Sequence, residues 1–270
     1  MFPPSRIVCL TEETVETLYL LGQQDRVVGI SGYTIHPPEA RREKPRVSAF
    51  ISADIEKIAA LAPDLVLAFS DLQAEIVATL VRRGIAVHVF NQRDIAGILA
   101  MIRTLGALVD ARDEAARLAD RLAANLDRVR AGASRRARRP RVYFEEWDEP
   151  MIAGIGWVSE LIEIAGGHDI FADRAGAGAA RDRIVTGEAV IARVPDLIIG
   201  SWCCKKFRKE RVAARPGFAV VPAVRDGALH EVKSSLILQP GPAALTDGVA
   251  ALDAIIGDWH GLPDTVLSGG

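Results

Sequence analysis

Cys203 and Cys204 stand side by side in the run Trp202-Cys203-Cys204-Lys205-Lys206-Phe207. The flanking lysines favour thiolate, the form in which cysteine ligates soft metals. The run follows an apolar, strand-like segment at 196–200, and open α/β sheets collect ligands at the carboxyl ends of their strands. A direct ligand role is therefore one reading. The others are a loop with two thiols and a strained vicinal disulfide. Cys9, the third cysteine, sits in an apolar strand-like run and reads as buried and inert. Three cysteines are too few for a disulfide scaffold.

The remaining candidates for chemistry are weaker. The five histidines (His36, His88, His168, His230, His260) are scattered, with no pair at i, i+4, so they make no metal-ligand set. Glu145, Glu146, Asp148 and Glu149 follow a strand-like run, but alternate residues of one short segment point opposite ways. Gly176 to Gly178 resembles half of a phosphate loop without the strand before it and helix after it, and reads as a flexible loop. Nucleophile elbow, phosphate loop and zinc-protease helix motifs are all missing. The chain is not expected to be an enzyme.

Aromatic residues make up only 6% of the chain, so their placement is informative. Tyr33, Phe50, Phe69, Trp147, Trp157 and Trp202 all fall in segments that follow strand-like runs, and are expected to project into a ligand cleft. Such walls suit a large, flat, partly apolar ligand. At least one of the six is expected to plug a core instead.

These residues are positioned by two halves built on one plan. Residues 55–69 read IEKIAALAPDLVLAF and residues 187–201 read GEAVIARVPDLIIGS. In each, a helix-period segment breaks at Pro-Asp and a short buried strand follows. Glu56 and Glu188 occupy equivalent places. Arg6 to Leu10 and Arg141 to Glu145 open the halves as strands, and Glu16 to Gly22 matches Glu160 to Gly166 as a helix closing at glycine. A further strand is expected at 84–90 in the first half and 217–221 in the second. Short apolar strands alternating with amphipathic helices predict parallel sheets covered on both faces.

The predicted architecture is therefore α/β, with lobes at 1–109 and 140–270 and a ligand cleft between them. Residues 110–139 link the lobes. Ala115, Leu118, Leu122, Leu126 and Val129 form an apolar stripe there on one long, rigid helix. About 24 residues of helix span roughly 36 Å.

Bulk properties narrow the function. A net charge of −2 over 270 residues gives no electrostatic footprint for nucleic acid. The arginine-rich stretch 130–141 contains no aromatic and reads as a solvated helix end. No apolar run reaches the ~18 residues needed to span a bilayer. Met1 to Arg6 enters a strand-like run with no charged and apolar leader pattern. A cytoplasmic site and an extracytoplasmic one after removal of a signal both stay open.

Taken together, RIVCLTEETVETLYLLGQQDRVVGISGYTIHPPEA, VSAFISADIEKIAALAPDLVLAF, YFEEWDEPMIAGIGWVSELIEIAGGHDIFAD and VPAVRDGALHEVKSSLILQPGPAALTDGVAAL resemble the cobalamin-binding branch of the iron-siderophore/vitamin B12 periplasmic binding protein family. The resemblance covers nearly the whole chain. It implies a monomer without an intrinsic cofactor that binds a corrinoid between its lobes and delivers it to an ABC transporter permease, its only link to a membrane. Tyr33, Phe50, Phe69 and Trp147 match corrinoid contacts, and Glu56 and Glu188 match the glutamates that dock on permease arginines. Cys203 and Cys204 lie outside the family pattern. Two alternatives remain: a ferric-siderophore or haem binder, with Arg174, Arg181 and Arg183 as candidates, and a cytoplasmic metal- or tetrapyrrole-handling protein using Cys203 and Cys204.

Overall fold

Continuous apolar runs without polar alternation belong to strands whose two faces are both covered. In the computed structural model, which describes residues 3–260, β1 (Ile7–Cys9), β2 (Val27–Ser31), β3 (Arg46–Ser48), β4 (Leu65–Phe69) and β5 (Val87–Phe90) form one sheet. The order is β3-β2-β1-β4-β5, and every pairing is parallel. Val8, Leu10, Val47, Ile58, Val66 and Leu80 pack as its core. Fully burying one such side chain is worth ~1.5–3 kcal/mol.

The second sheet contains β6 (Arg141–Asp148), β7 (Met151–Ala153), β8 (His168–Asp169), β9 (Leu197–Gly200) and β10 (Leu229–Glu231). Its order is β10-β9-β6-β7, with β8 pairing the amino end of β6. The β6–β9, β9–β10 and β6–β8 pairs are parallel, while β7 folds back antiparallel on β6. Tyr143, Ile198, Phe207, Phe218 and Leu229 belong to its core. The predicted α/β class with two parallel-sheet cores therefore holds, with one antiparallel hairpin added.

The longer helices are α1 (Glu12–Leu20), α2 (Ile55–Ala60), α3 (Ala74–Arg82), α4 (Ile95–Leu108), α5 (Arg112–Ala133), α6 (Gly156–Ile164), α7 (Gly187–Ala192) and α8 (Val249–His260). On α5, Ala115, Leu118, Leu122 and Leu126 are buried along the predicted stripe, and Val129 is half-buried. None of the helices among the described residues is long and apolar enough to cross a membrane.

The chain divides into two compact units. One runs to Ala123 and takes in Gln239–Ala243, and the other holds Ala124–Leu238 and, among the described residues, 244–260. The returning segment is bound to the first unit by Gln92, which donates to the Pro240 carbonyl at 2.9 Å, and by the Ala243 N–H, which donates to Glu16 at 3.1 Å. The sequence reading set 110–139 apart as a linker; here α5 is shared between the units.

The internal repeat is visible in hydrogen bonds. Asp54 caps α2 by accepting from Lys57 N–H at 2.9 Å, and Thr186 caps α7 by accepting from Ala189 N–H at 3.2 Å. Ala62 and Val194, with φ of 44° and 46°, both take the left-handed turn that leads into Pro-Asp. Asp64 then accepts from Arg6 N–H at 2.9 Å, and Asp196 accepts from Arg141 N–H at 2.8 Å. Each pair fastens the returning strand to the strand that opens its half. Gly22 and Gly166, at φ 70° and 85°, close the equivalent helices α1 and α6 as predicted.

The strand expected at 217–221 is corrected. Phe218–Val220 is a short 3₁₀ turn entered from Gly217 at φ 78°, and the strand beside β9 is β10 at 229–231. The large Phe218 ring at the turn is 1% exposed, so the apolar character of that run serves core filling and not a sheet edge.

Candidate functional site

In the first sheet the strand order reverses between β1 and β4, and ligands of open α/β sheets bind beyond the carboxyl ends of strands at such a point. Thr11, Glu12 and Glu13 follow β1 there, and Ser70 follows β4 with φ 58°. Glu12 and Glu13 are 6% and 1% exposed, and the Thr11 hydroxyl donates to Glu13 at 2.6 Å. Burial, with Glu13 alongside, raises the Glu12 carboxyl to about 8. Burial raises Glu13 to about 7 against the opposing pull of the Thr11 hydrogen bond. In the sequence the pair is inconspicuous, because acidic residues commonly open helices. The available signal was Thr-Glu-Glu-Thr directly after an apolar strand.

The other strand ends of this unit carry rings. Tyr33 lies two residues beyond β2 and is 44% exposed; Phe50 lies two beyond β3 and is half-buried. Phe69 ends β4, largely buried, with the Arg93 guanidinium 5.1 Å from its ring centroid. Phe90 ends β5 in the same way against His88, at 4.3 Å between centroids. Phe90 ends β5 and Arg93 lies in the loop beyond it, positions that the sequence analysis did not single out.

In the second unit Trp147 occupies the carboxyl end of β6, half-buried, its indole N–H donating to the Glu149 carbonyl at 2.8 Å. The Lys205 ammonium stands 3.9 Å from the Trp147 centroid and pairs with Asp148. Burial pushes the Asp148 carboxyl up, but Lys205 outweighs it and holds the group below its usual range.

Projection of Trp157 and Trp202 is corrected. Trp157 lies in the first turn of α6, 3% exposed, and donates to the Ile237 carbonyl at 2.8 Å. Trp202 is 2% exposed and donates to Glu145 at 2.9 Å. Both indoles are too apolar to remain outside once their single N–H is satisfied within the core.

Of the acidic run after Phe144, Glu145, Glu146 and Asp148 lie in β6 and Glu149 just beyond it, and all four are ion-paired. Glu145 is wholly buried, paired with Arg215 at 2.6 Å and receiving the Tyr143 hydroxyl at 3.0 Å. Glu146 pairs at 2.6 Å with Arg183, which is itself 2% exposed. Arg174 donates to the Ile184 carbonyl at 3.0 Å, and Arg181 lies 3.8 Å from Asp182. Of the three candidate arginines, Arg174 and Arg181 are exposed and Arg183 is buried.

Glu56 and Glu188 lie in the first turns of α2 and α7, both exposed. The Arg83 guanidinium holds Glu56 below the usual carboxylate range. Its own backbone N–H and the Thr186 hydroxyl do the same for Glu188. Each unit thus presents one ionised carboxylate at the same point of its repeat.

Cys203 and Cys204 are exposed thiols just past β9, with sulfurs 3.5 Å apart, and Cys9 is buried as expected. Among the described residues, no group of three or more His, Cys, Asp or Glu side chains is placed to hold a metal.

Two α/β units, each with a parallel sheet whose carboxyl edge carries rings and whose repeat presents an exposed glutamate, define a solute-binding class of protein. The chain belongs to the periplasmic binding protein family, whose model matches residues 7–236. The cobalamin-binding protein of Halobacterium salinarum is 29% identical over 248 residues, covering 88% of this chain; the chain spans 66% of that relative's length. Among solved structures, the apo periplasmic heme-binding protein RhuT from Roseiflexus sp. RS-1 is 25% identical with a TM-score of 0.79, covering 93% of this chain and 99% of its own. The periplasmic vitamin B12 binding protein BtuF of Vibrio cholerae matches with a TM-score of 0.76 at 23% identity, covering 96% and 99%, and shares the fold. The family is one of binding proteins.

Proposed function

We propose that the protein captures a corrinoid and delivers it to an ABC transporter permease on the outer side of a membrane. The observation that carries this reading is the set of rings at strand carboxyl ends: Tyr33, Phe50 and Phe69 in one unit, Trp147 in the other. A corrin macrocycle offers broad apolar faces fringed by amides, which aromatic faces and a few polar groups recognise. The name of the Halobacterium relative supports the choice of cargo. In this reading Trp157 and Trp202 stiffen the wall from within the second unit, and Lys205 supplies a polar contact beside Trp147. The corrinoid is cargo, and no resident cofactor takes part. Glu56 and Glu188 are the permease-docking carboxylates, and the working form is a monomer.

Quenching of tryptophan fluorescence by added cobinamide tests the reading. Trp147→Ala is expected to weaken binding about thirtyfold, matching the ~2 kcal/mol commonly lost when a central aromatic anchor is truncated. Equal affinity for the two proteins removes Trp147 from the site.

A haem reading draws on the loop after β2, where Tyr33 and His36 are close in sequence. The buried His36 Nε2 has no hydrogen-bond partner there. RhuT supports this option by its name. Hemin that binds with a Soret shift abolished by Tyr33→Phe or His36→Ala would favour it over a corrinoid.

A further inference from the structure

Cys203 and Cys204 occupy the turn beyond β9, and adjacent residues of an extended chain send their side chains to opposite faces. Here the sulfurs approach to 3.5 Å, because Cys204 takes a left-handed φ of 60°. A side-chain-bearing residue rarely adopts that conformation, and such strain gathers where a turn serves a site. Lys205, the next residue, is engaged elsewhere, its ammonium paired with Asp148 and set against the Trp147 ring. Both thiols are exposed to incoming solute.

We propose that Cys203 and Cys204 form a two-thiolate site for a soft divalent cation of the zinc or cadmium kind, independent of any corrinoid. With metal–sulfur bonds of ~2.3 Å, sulfurs 3.5 Å apart subtend an angle of about 100° at the metal. That suits a tetrahedral cation better than a linear two-coordinate one. No group of three His, Cys, Asp or Glu ligands forms around any point among the described residues. Two positions therefore fall to water or to donor atoms that the cation brings with it. Closed four-ligand sites are structural, and this pair leaves two positions open. On binding, each thiol releases its proton to solvent, each sulfur donates a lone pair, and the hydrated cation sheds every water but the two that complete the tetrahedron. No electron is transferred. Cys9 does not compete, since burial pushes its thiol up to about 12.

The test is a titration of the reduced protein with cadmium chloride, without corrinoid. It follows the ultraviolet sulfur-to-cadmium charge-transfer band and counts released protons with a pH indicator. The expected result is one cadmium bound and two protons released per chain. Cys203→Ser and Cys204→Ser should each lower affinity roughly a hundredfold or more, because the second thiolate otherwise binds intramolecularly. Both positions are exposed, so the fold should tolerate either change. The proposal is overturned by a wild-type chain that shows no band, by release of a single proton, or by either serine variant binding as tightly as wild type.

Discussion

Arg215 holds the wholly buried carboxylate of Glu145 through two hydrogen bonds, at 2.6 and 3.0 Å. The Trp202 indole and the Tyr143 hydroxyl supply two more to the same carboxylate. One charged group thus fixes β6, the loop past β9 and the segment leading to Phe218 in a single arrangement. Removing one partner of a buried pair leaves the other uncompensated, at a cost of ~3–5 kcal/mol. Arg215→Met is expected to lower stability by that amount in urea unfolding at neutral pH. A midpoint unchanged from wild type would show that Glu145 is satisfied without the guanidinium.

Gly200 ends β9 where the Phe207 ring lies against the backbone. A Cβ added there would meet ring carbons at 1.9 Å. The ring is itself 3% exposed and has little room to retreat. Gly200→Ala should therefore destabilise by about 1–3 kcal/mol, as overpacking does. Gly22→Ala is a comparison of a different kind: nothing lies within 4 Å of its added Cβ, and the strain comes from its φ of 70° alone.

Glu12 and Glu13 make stability depend on pH in a stated direction. Their folded-state values, about 8 and about 7, lie above the ordinary 4.5, so the folded protein binds their protons more tightly than the unfolded chain does. The associated stability is complete below pH 4.5 and is lost as pH rises through 7 to 8. Glu12→Gln should flatten this part of the profile and raise the melting temperature at pH 9 relative to wild type. A wild-type profile that rises between pH 6 and 9, with the Gln variant unchanged, would contradict the assignment.

Much of the fold was legible because the repeat is written in residue types that leave little choice. Pro63-Asp64 and Pro195-Asp196 end a helix, turn the chain and supply a carboxylate for backbone N–H groups, whatever surrounds them. The strand at 217–221 was misjudged because apolarity alone does not separate a strand from a core-filling turn. Phe218 is buried either way. The site was legible only in part. Tyr33, Phe50 and Trp147 keep the strand-end positions their spacing suggested, whereas Trp157 and Trp202 turn inward because each indole N–H finds an acceptor in the core. The Glu145–Arg215 pair bridges residues 70 apart in sequence, a separation no local pattern signals.

Glu56 and Glu188 share a position in the repeat, an exposed surface and a lowered carboxyl value. The docking assignment predicts that replacing both by alanine leaves corrinoid affinity unchanged and lowers binding to the partner permease at least tenfold, through loss of two charge contacts at ~1 kcal/mol or more each. Surface plasmon resonance against the permease in detergent reads the second quantity. Equal permease binding by the doubly substituted protein would remove the two glutamates from the interface.

The identity of the cargo is decided by isothermal titration of the protein. Cyanocobalamin, cobinamide, hemin and one ferric hydroxamate are titrated separately under reducing conditions. A corrinoid carrier binds cyanocobalamin and cobinamide one-to-one and saturably, with no comparable binding of the iron chelates. Saturable binding of hemin or the ferric hydroxamate with no heat from either corrinoid would contradict the corrinoid reading.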